Sequence, residues 1–212
     1  MSTTLLLVAY AFPPENVSGA ARPFRFYRYL PEFGISPVVI TASAQDHAQP
    51  DVVFVRDVPR DFPRQNVAWH IERVVRKFLL PGEVGLTWSR KAAAAVLRLV
   101  SSQDRLAVFS TSPPVSSHLA ALQLKRKLRI PWIADFRDPI HRSGERVVSR
   151  SGVYSMLESL LLREADSVIA NTDALAESWS VRYPQHRAKR EAGPGAGHGQ
   201  CAGGEGGRVH FR

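Results

Sequence analysis

The chain is predicted to be α/β, with an open parallel sheet covered by helices on both faces. One observation is a recurring alternation between residue 4 and residue 184, in which short apolar runs (TLLLVAY, PVVIT, LAVFS, PWIAD, SVIAN) alternate with longer helical stretches. Another is that these runs are continuous rather than alternating in polarity, as strands buried on both faces are. A third is that two of them pass through a Pro-Pro loop directly into a helix, at Phe12-Pro13-Pro14 and at Ser112-Pro113-Pro114.

Taken in order, Thr4 to Tyr10 reads as a buried first strand, followed by the loop AFPPENVSG and a helix from Ala20 through the aromatic and basic run to Leu30. Gly34 closes that helix and Pro37 to Thr41 forms the second strand. A right-handed crossover places the two in one parallel sheet. Between Ser43 and Pro63 the prolines allow only a short strand, Val52 to Asp57, between loops. Asn66 to Leu80 is helical, with Pro81-Gly82 as its stop, and Leu86 to Ser101 is a helix built on an alanine run. Leu106 to Ser110 is the next strand, and the loop after it leads into the helix Val115 to Leu128. Pro131 to Asp135 is a strand followed by the loop FRDPIHRSGER, then the helix Ser151 to Glu164 and the strand Ser167 to Asn171. Thr172-Asp173 caps a last helix that ends near Tyr183-Pro184. In such sheets ligands bind beyond the carboxyl ends of the strands, where these loops lie.

The segment from residue 186 to 212 departs from this pattern. It holds eight of the fourteen glycines, the single cysteine (Cys201) and no apolar periodicity, so disorder is expected and the folded domain is expected to span residues 1–185. Its GPGAGHG is no dinucleotide fingerprint, since no strand precedes it and no helix follows.

The net charge of +9 is spread over helices, where it forms solvated faces and favours anionic partners such as phosphates or acidic lipid headgroups. Nucleic acid is not an expected partner, because no aromatic or fold motif of such readers is present. One cysteine excludes an intramolecular disulfide framework and fits a reducing, cytoplasmic setting. No run approaches the roughly 20 apolar residues that a membrane-spanning helix needs.

Several reaction classes lack their motifs. There is no G-x-x-x-x-G-K-[ST], H-E-x-x-H, G-x-S-x-G or C-x-x-C, no G-x-G-x-x-G after the first strand, and no D-x-D carboxylate pair. His118 and His141 lack ligand-spaced partners, so neither a metal nor a cofactor is expected. What remains is Asp135-Phe136-Arg137-Asp138-Pro139, a carboxylate at a strand end with a cation and a second carboxylate behind it. His118 follows Pro114 by four residues, which sets it near the same rim, where an imidazole can donate to a sugar hydroxyl or a phosphate. The bland alternative makes Asp135 and Asp138 turn residues and His118 a core or surface histidine. Gly19 and the helix start beyond it offer unpartnered N–H groups to an anion, with Arg22 and Arg25 close by.

Three stretches together, AYAFPPENVSGAARPFRFYRYLPEFGISPVVIT, STSPPVSSHLAALQLKRKLRIPWIADFRDPI and LESLLLREADSVIANTDAL, resemble the N-terminal Rossmann-like domain of GT-B glycosyltransferases of the family 4 type with a D-F-R-D-P segment. The resemblance covers nearly all of Met1 to Tyr183. It implies one half of a GT-B fold. The implied activity is a retaining, metal-independent transfer from a nucleotide sugar to a glycan or lipid-linked acceptor. This domain would bind the acceptor and approach the donor diphosphate, while a second domain with a glutamate pair would hold the nucleotide sugar. By resemblance Gly19 is the loop glycine and Arg22 the basic residue after it. His118 and Asp135 carry catalytic roles, and Arg137 and Asp138 belong to the ligand-binding acidic loop. The expected second domain does not follow in these 212 residues. The abrupt change after Gln185 is the expectation of a truncated or frameshifted product, inactive alone, which translation of the downstream DNA in other frames tests. The alternative is a non-catalytic α/β module that binds a phosphorylated or glycan ligand or a protein partner. The basic helices leave peripheral membrane contact open in either case.

Overall fold

In the computed structural model the described residues are 3–44, 49–62, 64, 66–100, 105–140, 148–184 and 190–192. They form a seven-stranded, all-parallel sheet in the order β3-β2-β1-β4-β5-β6-β7. The strands are β1 (Thr3–Val8), β2 (Ile35–Thr41), β3 (Val52–Phe54), β4 (Leu106–Ser112), β5 (Trp132–Phe136), β6 (Ser167–Ala170) and β7 (Arg190–Ala192). The helices are α1 (Ser18–Tyr29), α2 (Val58–Asp61), α3 (Val67–Phe78), α4 (Leu86–Leu99), α5 (Ser116–Leu128), α6 (Val148–Glu164) and α7 (Asp173–Arg182). The predicted class, a Rossmann-like α/β sheet covered on both faces, is the one observed.

The continuous apolar strands explain the layers. In β1, Leu6 and Val8 point to one face and Leu5 and Leu7 to the other, because side chains alternate across a strand. The first pair joins a cluster with Trp88, Ala92 and Val96 of α4, Ala120 and Leu124 of α5, and Leu175 and Trp179 of α7. The second pair packs with Val39 and Phe109 against Phe26 and Tyr27 of α1. Both faces of β1 are therefore dry, which is why its sequence shows no polar alternation.

The boundaries shift from the expected ones where the chain turns. A short 3-10 turn, Leu30–Phe33, follows α1 before Gly34 at φ 72° reverses the chain. The third strand ends at Phe54 rather than Asp57, and the expected loop beyond contains α2, whose start is anchored by the Asp57 carbonyl accepting from the Arg60 and Asp61 N–H groups. The fourth strand extends two residues beyond Ser110 and the fifth one residue beyond Asp135. α6 begins at Val148, ahead of the expected Ser151. Within the glycine-rich segment, Arg190–Ala192 pairs in parallel with Val168–Ala170. An open sheet edge supplies that backbone partner whatever the side chains are, so composition does not reveal it. Cys201 and His141 lie outside the described residues.

Gly85 starts α4 at φ 70°, and a Cβ there would sit 2.3 Å from Tyr10 Cε2. Gly34 has a similar φ of 72° but nothing within 4 Å. Gly85→Ala therefore combines a left-handed backbone with a ring collision and is expected to cost about 3 kcal/mol, against about 1 kcal/mol for Gly34→Ala. Thermal denaturation of the two variants checks the ranking, and equal losses would contradict it.

Candidate functional site

The order of the strands creates a crevice. The connection after β1 runs to β2 on one side and the connection after β4 runs to β5 on the other, so the two loops diverge at the carboxyl ends of adjacent strands. A cleft of about 440 Å³ opens there. One wall is Ala11 with Val17, Ser18 and Gly19 at the start of α1, and another is Ser112 to Val115 at the start of α5. Arg137 to Ile140 form a third side, and Pro81 to Val84 with Tyr154 close the rim.

Hydroxyl groups fasten these walls to the sheet. The Tyr10 N–H donates to Ser117 Oγ at 3.2 Å, and the Phe12 N–H donates to Ser43 Oγ at 3.0 Å, so the strand-to-loop exit of β1 is held from α5 and from beyond β2. The Tyr154 hydroxyl donates to the Pro81 carbonyl at 2.6 Å and ties α6 to the rim.

The walls carry one guanidinium, Arg137, two carboxylates, Glu83 and Asp138, and two helix starts. α1 begins without a capping side chain and without an acidic residue in its first turn, which leaves its helix-start dipole uncompensated. Arg137 reaches across and donates to the Ser18 carbonyl at 3.4 Å, placing a guanidinium beside that same helix start. At the start of α5, the Glu83 carboxylate accepts from the Val115 N–H at 2.9 Å. A protein carboxylate thus occupies the position where an anion sits on a helix N-terminus. Ser112 Oγ, buried in the cleft wall, has no hydrogen-bond partner among the described residues.

The residues singled out from the sequence divide into two groups. Gly19, Arg137 and Asp138 line the cleft together. Gly19 is the second residue of α1, not part of a loop, and a Cβ there would make only ordinary contacts of 3.5 Å with Ala11 and Arg137.

Asp135, Arg22 and His118 lie behind the cleft walls. Asp135 was expected at a rim, but β5 continues past it and its register partner in β4 is Thr111, so it stands inside the sheet. Its carboxylate is fully buried and accepts from Arg22 Nε at 2.8 Å, Arg22 Nη2 at 2.9 Å and the Thr111 hydroxyl at 2.9 Å. The third guanidinium nitrogen of Arg22, Nη1, donates to Asn171 Oδ1 at 3.3 Å. Arg22 and Asp135 are thus occupied with one another, joining α1 to β4, β5 and the end of β6.

His118 sits in the first turn of α5, as expected, yet it is fully buried and does not line the cleft. Its Nδ1 is 2.7 Å from Ser110 Oγ, which also accepts from the Trp132 indole N–H at 2.8 Å, and the ring packs on Phe136 with centroids 4.2 Å apart. Burial pushes the imidazole pKa down to about 3 from its usual 6.5, so the ring is neutral near neutral pH. Its Nε2 has no partner among the described residues.

Sequence reasoning missed Glu83, Ser112 and Tyr154. The Tyr154 and Glu83 contacts with Pro81 and Val115 bridge segments tens of residues apart, and no local motif announces them. Among the described residues, no group of three or more His, Cys, Asp or Glu is placed to hold a metal ion, and no helix is long and apolar enough to cross a membrane.

Comparison with known families gives a match over residues 18–187 to the glycosyl transferase 4-like domain. The chain belongs to this family. The matched span begins at the first residue of α1 and contains every wall of the cleft except Ala11 and Val17. A search of the curated proteins found no match. As a glycosyl transferase 4-like domain, the chain has a crevice at the carboxyl edge of β1 and β4, the edge where ligands of open α/β sheets bind.

His118 gives this domain a pH signature. The native ring resists protonation down to about pH 3, whereas the unfolded chain takes up a proton below about 6.5. Stability contributed by the neutral ring is full above 6.5 and falls as the pH drops below it. In His118→Leu, the decline in unfolding free energy between pH 6.5 and 4 should be shallower than in the unaltered chain by about 1.4 kcal/mol per pH unit. Urea titrations at successive pH values measure this, and parallel declines would show that the imidazole exchanges protons freely with solvent.

Proposed function

We propose that this glycosyl transferase 4-like domain is the acceptor-side wall of a nucleotide-sugar-dependent, retaining, metal-independent glycosyltransferase. The observation that carries the reading is the convergence of the uncapped α1 start and Arg137 on one cleft at the switch point of the sheet. Retaining transfer needs the donor's own diphosphate to leave on the face that the acceptor attacks, so stabilising that leaving anion is the main task. The N–H groups at Ser18 and Gly19 and the guanidinium of Arg137 are the groups assigned to it. Asp138, exposed at the rim, is assigned to acceptor hydroxyls.

Arg22, Asp135 and His118 then serve as positioning residues. Arg22 and Asp135 set the angle at which α1 presents its N–H groups. His118 and Ser110 join the first turn of α5 to β4, the strand that ends at Ser112. The absence of a D-x-D pair supports metal independence. The acceptor is proposed to be a glycan or a lipid-linked saccharide met in the cytoplasm.

In this reading the domain supplies the acceptor side of the site, and one guanidinium with two helix-start N–H groups holds an anion weakly and does not orient a sugar. The 212-residue chain is therefore expected to bind uridine diphosphate or pyrophosphate with a dissociation constant on the order of millimolar, and to transfer no sugar from a nucleotide-sugar panel. Arg137→Ala should abolish the weak binding and leave the melting temperature unchanged. Isothermal titration and a product assay check both statements. Detectable transfer by the chain alone, or binding indifferent to Arg137, would overturn the reading.

A further inference from the structure

Two helix starts border the cleft, and their chemistry differs. At α1, Ser18 and Gly19 line the wall and no side chain caps the helix. Arg137, the one cation among the described residues that line the cleft, leans to this side and donates to the Ser18 carbonyl at 3.4 Å. At α5 the wall is Ser112 to Val115, where Pro113 and Pro114 have no N–H to offer. The first donor after them, the Val115 N–H, is held by the Glu83 carboxylate at 2.9 Å. The main-chain N–H of Arg137 is spent as well, on the Ser112 carbonyl at 3.2 Å.

Glu83 is held in this place by its own segment. One end is pinned by the Tyr154 hydroxyl, which donates to the Pro81 carbonyl at 2.6 Å. The other is pinned at Gly85, whose N–H donates to the buried Glu72 carboxylate at 2.9 Å. An anion that entered the α5 side would meet the like charge of Glu83 and find its donor taken. A hydroxyl meets neither obstacle, because a carboxylate accepts more than one hydrogen bond and a neutral donor needs no cation beside it. Asp138 adds a second carboxylate to the cleft lining.

We propose that Glu83 determines specificity at this cleft: it closes the α5 side to phosphate, sulfate and carboxylate groups and leaves that side to uncharged hydroxyls. The exclusion follows from the contacts at α5, whereas the assignment of those hydroxyls to an acceptor saccharide rests on the transferase reading. The cleft then sorts its two substrates by charge. The diphosphate goes to α1 and Arg137, and an acceptor whose entering residue is neutral goes to Glu83.

The test is titration of the nitrogen-15-labelled full chain with inorganic phosphate, followed through amide shifts. In the unaltered chain the Ser18 and Gly19 amides should move and those of Val115 and Ser116 should not. Glu83→Ala should make the Val115 and Ser116 amides respond, with half-saturation at about a tenth of the phosphate concentration or less. Glu83→Gln keeps an oxygen for the Val115 N–H without the charge, so it should respond in between, and it serves alone if the alanine variant does not fold. Saturation transfer to methyl glucoside, galactoside and mannoside should exceed transfer to the matching uronates, and Glu83→Gln should narrow the gap about threefold. The proposal is overturned if phosphate moves the Val115 amide of the unaltered chain as much as that of Gly19, or if neither variant gains a response at α5. It is also overturned if the uronates equal the neutral glycosides, or if no glycoside is saturated. Unmoved Ser18 and Gly19 amides would contradict the diphosphate assignment at α1, while the gain at α5 in the Glu83 variants would still support the exclusion.

Discussion

One ion pair holds the site side of this domain together. Asp135 stands inside the sheet with no access to water, and a carboxylate there is tolerable only if its oxygens are met by donors. The fork of Arg22 supplies two and Thr111 a third, while Arg22 also reaches Asn171 at the end of β6. α1 crosses from β1 to β2 on one face of the sheet, and Arg22 is the residue by which its first turns are tied to β4, β5 and β6. The start of α1, and so one wall of the cleft, takes its position from this contact.

The second wall has a comparable support. The first turn of α5 is fixed by the Tyr10 N–H bonded to Ser117, by Glu83 at the Val115 N–H and, beneath, by the chain of Trp132, Ser110 and His118. Two polar clusters therefore lie directly under a crevice whose own surface is sparsely furnished. Such buried networks favour one arrangement of the loops above them, since any other leaves a donor or acceptor unmet. Of the cleft residues themselves, Arg137 is half-buried and Asp138 exposed.

Most of the architecture was legible in the chain. Continuous apolar strands and an alanine-rich helix depend on local composition, and the layers follow from them. The roles of particular side chains were not equally legible. Asp135 reads as a rim carboxylate until β4 and β5 are each seen to run past it, because strand ends are set by pairing partners that local pattern does not specify. His118 was located on the correct turn, but its burial depends on Trp132 and Phe136, which come from another strand. Glu72 and Glu83 look like surface acids in sequence, yet each caps a distant helix start. Val67, Ile71, Val74 and Phe78 of α3 read as ordinary helical periodicity, and only their exposure reveals that they face away from the core.

The claim that the Arg22–Asp135 contact organises the site side of the domain is open to a double-mutant cycle. Unfolding free energies of the unaltered chain, Arg22→Ala, Asp135→Ala and the double variant, taken from urea titrations, give the coupling directly. A buried, bidentate pair predicts a coupling of about 2–3 kcal/mol, with the double variant little worse than either single one. Effects that simply add, within about 0.5 kcal/mol, would mean that the two residues act independently and that α1 is held by its apolar contacts alone.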